Sequence, residues 1–346
     1  MLNRLFEKRN VSYQSVWGSG GGWGDQTLAG TSVDQSTALR LGAVYACTRL
    51  LSDTLSTLPV DTFTRADDGN RVAYDKPVWV ASPDGRTFAD HIAQVVVSML
   101  LDGNAFVRVV RKPNGEVLTL TCLPPQMVHP RQGATGVVFD VDMPTGKTTV
   151  AAADMLHITE LKRAGELRGV SRISEAKQTL GLATALDEFA ARFFGQGSNA
   201  SGVIEYPESL TKEQAEDLVS AWELGHKGLK KSHRPGVLFG GAKFTKTSVD
   251  NDQSQFIQSR QFAVEEVARI FRVPPHMIGV TTPGAMSYAS VEQNAIQFAQ
   301  YTLRPIISKF ETALSTLLPG PAFVKFNLDA ILRGDIQTRF AAYSTG

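Results

Sequence analysis

Hydrophobic residues along the first 160 positions switch between helical and strand spacing, which predicts a mixed α+β domain. Leu39, Cys47 and Leu58 lie on one apolar helical face that Pro59 ends. A Lys-Pro-Asn-Gly sequence at 112–115 is a strong hairpin signal between two strand-like runs. The helix with this face is predicted from Ser36 to Leu58. A second helix is predicted over 87–101, where Thr87 and Asp90 resemble a capping box and Gly103-Asn104 breaks the helix. The strands predicted here are 60–64, 105–111, 116–123, 137–141, 148–151 and 155–158. Antiparallel pairing is expected among these strands.

Long helices dominate the second half of the chain. Apolar faces at helical spacing run over 174–194, 256–271 and 290–319. Pro305 lies inside the third helix, where proline removes one backbone donor and clashes with the carbonyl one turn earlier. A kink is therefore expected near Tyr301.

A small module is predicted at 202–249, with strands over 203–206, 237–239 and 244–248 and a helix over 211–224 that begins with a Thr211 and Gln214 capping box. The charge of this module is split. Six acidic residues and one lysine lie from Glu205 to Glu223, whereas six basic residues and no acid lie from Leu224 to Val249. The candidate contact residues are Glu213, Glu216, Asp217, Lys227, Lys230, Lys231 and Arg234. Three interpretations stay open: a contact with DNA phosphate or an acidic partner, a solvated loop, or a contact between the acidic half of one copy and the basic half of the next in a ring.

Composition narrows the class of protein. The chain has 346 residues, is 42% hydrophobic and carries a net charge of +1. This is enough apolar material for a sizeable core, but the charge balance argues against gripping nucleic acid through bulk charge, since each neutralised phosphate needs a cation. Neither a signal peptide nor an apolar run long enough to span a membrane is predicted. Residues 1–34 are expected to be a flexible arm, rich in Gly and Ser, whose Trp17 and Trp23 either dock on a neighbouring surface or stay solvated.

Motifs for chemistry are sparse. Ser174 and Lys177 match a Ser-x-x-Lys pattern, but its companion motifs are absent. The six histidines and the two distant cysteines, Cys47 and Cys122, form no metal-ligand pattern. The sequence therefore predicts no cofactor, no metal and no enzymatic activity.

Separate segments resemble, in the same order, the portal proteins of long-tailed bacteriophages with smaller subunits. The segments are Ala43–Cys47 with Leu58-Pro59, Asp102–Ala105, His157-Ile158, Phe193–Gly197, Ala268–Gly279, and Thr302–Pro305 followed by Glu311. Each is weak alone, but together they cover most of the chain.

The resemblance implies a division of the chain into portal regions. Residues 35–173, with 320–346 returning, correspond to a wing that ends in a strand at 323–328. Two stem helices correspond to 174–201 and 250–272, a clip to 202–249, a tunnel loop to 273–289 and a long kinked helix to 290–319. A crown would follow residue 346 and is expected to be truncated or processed here.

The resemblance also implies a function. Portals form rings, usually of twelve subunits, at one capsid vertex of the virion, and double-stranded DNA passes through them during packaging and ejection. The implied partners are the terminase large subunit, the head–tail adaptor, the major capsid protein and the scaffold, with assembly in the host cytoplasm and no membrane. The uncharged residues expected to line the channel are Val280, Thr281, Thr282, Pro283, Ala285 and Met286. The alternatives are a non-annular DNA-binding scaffold protein and a hydrolase with an unrecognised triad.

Overall fold

A computed structural model of the chain describes residues 26–196, 202–207, 211–226, 241–246, 253–280 and 288–328. The α-helices in these ranges are α1 (Gln35–Ala38), α2 (Gly42–Ser56), α3 (Val78–Ala81), α4 (Phe88–Asp102), α5 (Arg172–Glu175), α6 (Lys177–Gln196), α7 (Lys212–His226), α8 (Gln253–Phe271), α9 (Tyr288–Phe298) and α10 (Arg304–Ser315). The strands are β1 (Val60–Arg65), β2 (Arg71–Ala73), β3 (Asn104–Arg111), β4 (Val117–Leu123), β5 (Val128–Gly133), β6 (Gly136–Met143), β7 (Gly146–Ala151), β8 (Met155–Thr159), β9 (Gly202–Glu205), β10 (Lys243–Lys246) and β11 (Phe323–Phe326). Mixed helices and small antiparallel sheets confirm the predicted α+β class.

The main core lies between helices α2 and α4 and one face of the antiparallel sheet β4-β3-β8. Cys47 and Leu51 of α2, Met99 of α4, and Val107 and Leu120 of the sheet are all buried in this core. The apolar helical face identified in the sequence is therefore the face that packs. Burying such side chains stabilises the fold by about 1.5–3 kcal/mol each.

A second sheet, β5-β6-β7, has a smaller core of its own. Phe139 and Val150 pack there against Phe106 of the first sheet, and the Phe106 and Phe139 rings meet edge to face with centroids 6.0 Å apart. On the solvent side, Arg131 donates to Asp140 across neighbouring strands at 2.7 Å. Alternation of apolar and charged residues along β6 therefore fixes which face is buried.

The third sheet joins strands that are far apart in the sequence, because β11 pairs with β1 and β1 pairs with β2, all antiparallel. The outer edge of β11 is satisfied by side chains of α10 rather than by another strand. Glu311 accepts from the Phe326 N–H at 2.9 Å, and the Ser315 hydroxyl accepts from the Val324 N–H at 2.9 Å. Because Glu311 and Ser315 are one helical turn apart, they meet alternate donors along the strand edge.

Helices α6 and α8 pack antiparallel to each other and extend from the main core. The rings of Phe189 and Phe256 lie with centroids 5.5 Å apart, and Arg260 donates to Asp187 at 2.9 Å. Val267, nearer the core, is buried. The pair thus follows the two apolar helical faces predicted at 174–194 and 256–271.

The predicted arm boundary at residue 34 is wrong, because residues 26–34 belong to the folded body. The Thr31 hydroxyl donates to the Gly181 carbonyl of α6 at 3.0 Å, and the Leu28 N–H donates to the Gln178 side chain at 3.0 Å. Thr27 and Thr31 are buried. Residues 1–25 lie outside the described residues.

The helix start predicted at Thr87 is found in the structure, but one helix that was predicted as continuous is two helices. Thr87 accepts from the Asp90 N–H at 3.1 Å and caps α4 as predicted. The helix predicted from Ser36 to Leu58 is two helices, α1 and α2, separated by a break at 39–41. Leu41 is buried at this break, so the apolar spacing continued through it and concealed the change of direction. The strand predicted at 237–239 lies outside the described residues.

Candidate functional site

Val280, the first of the predicted channel-lining residues, lies at the end of a turn that backbone hydrogen bonds support. Val280 is half-buried, and it is the last described residue before the segment 281–287. Thr281, Thr282, Pro283, Ala285 and Met286 lie outside the described residues. The structure describes the residues before and after that segment, and their contacts show how its two ends are held.

The predicted module 202–249 is described in part. Strands β9 and β10 pair antiparallel, and Thr211 and Gln214 form the predicted capping box at the start of α7. Glu213, Glu216 and Asp217 are exposed on α7, where they are available to an outside partner. Lys227, Lys230, Lys231 and Arg234 lie outside the described residues. Of the rest of the basic half, Lys243 in β10 lies opposite Glu205 of the acidic half in β9.

Helix α8 ends at a non-glycine residue in the left-handed conformation. Arg272 has a φ of 57°, and the next N–H, that of Val273, bonds back to the Ala268 carbonyl at 2.9 Å. This is the hydrogen-bond pattern of a Schellman C-cap, in which glycine is the usual residue. The Thr302 hydroxyl donates to the Arg272 carbonyl at 2.7 Å and so ties this cap to the later helices.

Two prolines then set the direction of the chain. Pro274 precedes a short 3₁₀ helix, Pro275–Ile278, and Gly279 ends it with a φ of 85°. The Val280 N–H bonds back to the Pro275 carbonyl at 3.1 Å. Proline fixes φ and glycine permits its positive value, so the chain reaches residue 281 from a rigid turn.

Where the kink is predicted, a π-helical segment, Ala299–Leu303, interrupts the helix between α9 and α10. Pro305 follows it in α10 and has no N–H to donate to the carbonyl of Tyr301. The wider π turn places Ala299, Thr302 and Leu303 against the core and leaves Tyr301 65% exposed. The local distortion therefore also aims Thr302 at the cap of α8.

A buried ion pair joins this region to the first domain. Arg172 of α5 pairs with Glu160 and also donates to the Ile270 carbonyl of α8 at 3.3 Å. Its guanidinium lies over the Phe271 ring, 5.4 Å from the centroid. Burial, together with the nearby charge of Arg272, lowers the pKa of Arg172 to about 10, and the group stays charged at neutral pH. Lys309 of α10 donates to the carbonyls of Thr159 and Glu160 on the same junction.

A second buried junction is organised by Asn104. Its side-chain nitrogen donates to Asp102 at 2.8 Å and to the Gly169 carbonyl at 3.0 Å, while its oxygen accepts from the Gly169 N–H at 2.6 Å. Arg168 adds a bond to Asp102 at 2.6 Å. Asn104 is 1% exposed and almost every hydrogen-bonding position on its amide is used. The Asp-Gly-Asn-Ala segment noted in the sequence is thus a clamp on the loop that leads to Arg172.

His157 shares this junction and gives it an acid sensitivity. The Gly169 contact identifies the Asn104 acceptor as the amide oxygen, so the His157 Nε2 donates to it at 3.0 Å. Burial lowers the pKa of His157 to about 4, and burial likewise lowers that of His91 to about 4. The unfolded histidines titrate near 6.5. Between pH 6.5 and 4 the unfolded chain therefore binds more protons, and stability falls as the pH falls.

We expect His157→Gln to reduce this acid sensitivity, because glutamine retains an N–H donor for Asn104 but does not titrate. Between pH 7.5 and pH 5.0, the parent should lose about 2 kcal/mol more unfolding free energy than the variant. Urea unfolding at the two pH values measures the difference. Equal losses in the two proteins would show that His157 does not contribute.

Metal-ligand clusters and reactive thiols are absent among the described residues. Among those residues no group of three or more His, Cys, Asp or Glu side chains is placed to hold a metal ion. Burial raises the pKa of the Cys47 and Cys122 thiols to about 12, which keeps both as inert thiols. No helix among the described residues is long and apolar enough to cross a membrane.

Comparison with known proteins assigns the family. Residues 42–346 match the family described as phage portal protein. The probable portal protein of Streptomyces phage phiC31 is 34% identical over 342 residues, covering 93% of this chain and 74% of that protein. The portal protein of Enterobacteria phage HK97 is 28% identical, covering 91% of this chain and 76% of that protein. The chain belongs to the phage portal protein family, as the order of its sequence segments predicted.

Solved structures share the fold. A crystal structure of an HK97 family phage portal protein from Corynebacterium diphtheriae superposes with a TM-score of 0.66 at 19% identity, covering 88% of this chain and 99% of that one. The neck of a native gene transfer agent particle, computed with C12 symmetry, gives a TM-score of 0.65 at 22% identity, covering 96% of this chain and 93% of that one. Family membership favours the portal interpretation over a non-annular DNA-binding scaffold or a hydrolase.

Sequence reasoning missed the side chains that brace the region. Arg172 and Glu160 carried no motif of their own, and Thr302 and Glu311 entered only as parts of a resemblance. The one local signal was the double proline Pro274-Pro275, which indicates a helix end nearby but not the left-handed conformation of Arg272. The partners of the others lie far away in the sequence, so only the fold identifies them.

Proposed function

We propose that this chain assembles as a closed ring at one vertex of a phage capsid in the virion, and that double-stranded DNA passes through the ring during packaging and ejection. The match to the portal family over residues 42–346 carries the proposal. A copy number of twelve is supported by the twelvefold symmetry used for the related neck particle. No catalytic step is assigned to this chain, because portal proteins are structural.

We place the segment 281–287 at the channel surface. Its supports favour this role, because the cap of α8 and the π segment before α10 are tied together by the bond from Thr302 to Arg272 at 2.7 Å. A loop held at both ends by rigid helices can present residues to a passing duplex without collapsing onto the core. An uncharged lining suits sliding, since phosphate contacts dominate affinity for DNA.

The remaining assignments follow from the same proposal. The module around α7 corresponds to the clip, whose exposed Glu213, Glu216 and Asp217 would contact the terminase large subunit, the head–tail adaptor or a neighbouring copy. Contacts with the major capsid protein and the scaffold would hold the ring in the shell, after assembly in the host cytoplasm. Helices α6 and α8 correspond to the stem.

Particle mass and shape test the ring. Light scattering after size exclusion, with negative-stain images of the same fraction, should show annular particles with a central hole and a mass of about twelve subunits. A monodisperse monomer across the accessible concentration range would contradict the proposal.

Lysine at the proposed channel surface should slow DNA movement. We expect Thr281→Lys with Thr282→Lys to leave ring formation intact and to reduce packaged DNA strongly, because each added cation favours a phosphate contact that must break as the duplex advances. The yield of nuclease-protected DNA in assembled particles measures this effect. Thr148→Lys with Ala153→Lys adds the same charge on exposed positions of the β5-β6-β7 sheet region and is the matched control. Equal packaging by both double variants would contradict the channel assignment.

A further inference from the structure

An apolar groove runs along one side of the α6–α8 pair. It has a volume of about 780 Å³ and is lined by Leu182 and Leu186 of α6 and by Phe262 and Ala263 of α8. Leu182 is 56% exposed and Phe262 is 58% exposed. Large side chains this open, side by side on two helices, form a patch that is normally covered by a partner.

The rim of this groove is where the N-terminal part of the chain meets α6. Gln178 lines the groove and also accepts the hydrogen bond from the Leu28 N–H at 3.0 Å. One turn along, Gly181 lets Thr27 approach closely, since a Cβ on Gly181 would lie 2.5 Å from the Thr27 hydroxyl. Leu28 is itself 97% exposed beside the groove. Residues 27–31 are therefore anchored along the groove's edge.

Helical geometry places the anchor next to the open ridge. Positions 178, 182 and 186 are spaced four apart, so they form one ridge of α6 that borders the groove. Gly181, which holds Thr27 and Thr31, lies on the neighbouring ridge. Thr27 therefore contacts the α6 position next to Leu182 in the sequence.

We propose that the groove is a docking site for this chain's own N-terminal segment, with Trp23 and Trp17 as the side chains that fill it. Trp23 is five residues before Leu28, a reach of up to about 17 Å, whereas Gln178 and Leu186 are about 12 Å apart along the helix. The segment from Leu28 to Trp23 is therefore long enough for Trp23 to reach any point along the groove, and the segment to Trp17 is longer still. Each indole buries about 150–250 Å² of surface, which suits two half-exposed apolar walls.

The tether favours this occupant over a free partner. A segment attached at the rim is present at an effective concentration in the millimolar range, so even weak indole contacts fill the groove. Glycines surround both tryptophans, at 18 and 20–22 between them and at 24, and leave the backbone free to fit a helical surface. A stem helix from a second copy is the competing occupant.

Tryptophan fluorescence tests the proposal in the full chain. Subtracting the spectrum of Trp17→Phe with Trp23→Phe from that of the parent isolates the emission of these two residues from that of Trp79 and Trp222. This emission should be blue-shifted and poorly quenched by acrylamide. In a Leu182→Gln and Phe262→Gln background, which changes two half-exposed positions, the same component should shift to the red and become several-fold more quenchable.

The control variant carries Val78→Gln and Ile296→Gln, which change exposed apolar residues outside the groove, at 81% and 46% exposure. It should leave the isolated emission unchanged. Emission from Trp17 and Trp23 that is equally quenchable in the parent and in the groove variant would overturn the proposal. Protection that is found only in assembled fractions and is lost on dilution would also overturn it, and would assign the groove to a second copy. The outcome is independent of the ring test, since it is read in each size-exclusion fraction.

Discussion

Gly103→Ala is expected to destabilise the protein by about 4 kcal/mol or more and to abolish most soluble expression. A Cβ at this position would lie 2.2 Å from the Val170 carbonyl oxygen and 2.4 Å from its carbon. Both are backbone atoms, so no rotamer change relieves the contact. The loop cannot easily retreat, because Glu160 N–H bonds the Gly103 carbonyl at 2.9 Å and Ser171 bonds the Leu101 carbonyl at 2.7 Å.

Gly115→Ala is the matched control for the backbone conformation alone. Gly115 has a φ of 87°, close to the 81° of Gly103, but nothing lies within 4 Å of its added Cβ. Its cost should be about 1–2 kcal/mol, the usual cost of a left-handed alanine. Urea unfolding of the two variants separates conformational strain from the steric clash. Similar losses in both would show that the crossing of 103 and 170 is not tightly packed in solution.

Features that act within one helical turn could be predicted from the sequence. Pro305 predicts its own kink, because its missing N–H and its ring act on the carbonyl of Tyr301, four residues earlier. Thr87 and Thr211 predict caps for the same local reason. Hairpin strands β3 and β4 were likewise within two residues of their predicted bounds, since the turn between them has its own signature.

Features that depend on partners distant in the sequence could not be predicted from it. Asn104 entered only as a helix-breaking residue after Gly103 and as part of a resemblance segment, and its partners His157 and Gly169 are 53 and 65 positions away. Short elements such as α3 and β2 have too few residues to display a period. Arg272 escaped because a positive φ on an arginine is set by the Thr302 contact and by the Schellman bonds, not by the residue's preference.

The candidate site likewise combines features that the sequence predicts with features that only the fold shows. Family resemblance predicts that the segment after Gly279 lines the channel, and the described residues add the contacts that brace either side of that segment. The division of the chain into wing, stem, clip and tunnel loop stays a prediction. The α6–α8 pair and the β9–β10 module have the element order that this division requires.

Arg172→Met is expected to cost about 3–5 kcal/mol of unfolding free energy, because it leaves the partner of a buried ion pair without its cation. The Arg172 side chain is 11% exposed and that of Glu160 is 16% exposed, and the Glu160 Oε2 already has no hydrogen-bond partner. Changing both residues, as Arg172→Met with Glu160→Leu, should recover much of the loss, since the uncompensated charge is then absent. The exposed pair of Arg192 and Glu188, at 72% and 54%, supplies the control, and Arg192→Met should cost less than about 1 kcal/mol.

The location of Arg172 extends the effect beyond stability. Arg172 holds the Ile270 carbonyl, two residues before Arg272, whose carbonyl Thr302 holds in turn. Losing the guanidinium should therefore loosen the cap of α8 before it loosens the main core. Hydrogen exchange in Arg172→Met should rise first at 270–280 and around the π segment, while β3 and α4 keep their protection. Uniform loss of protection across the chain would show instead that Arg172 supports the whole domain equally and does not act as a brace for the segment that follows Gly279.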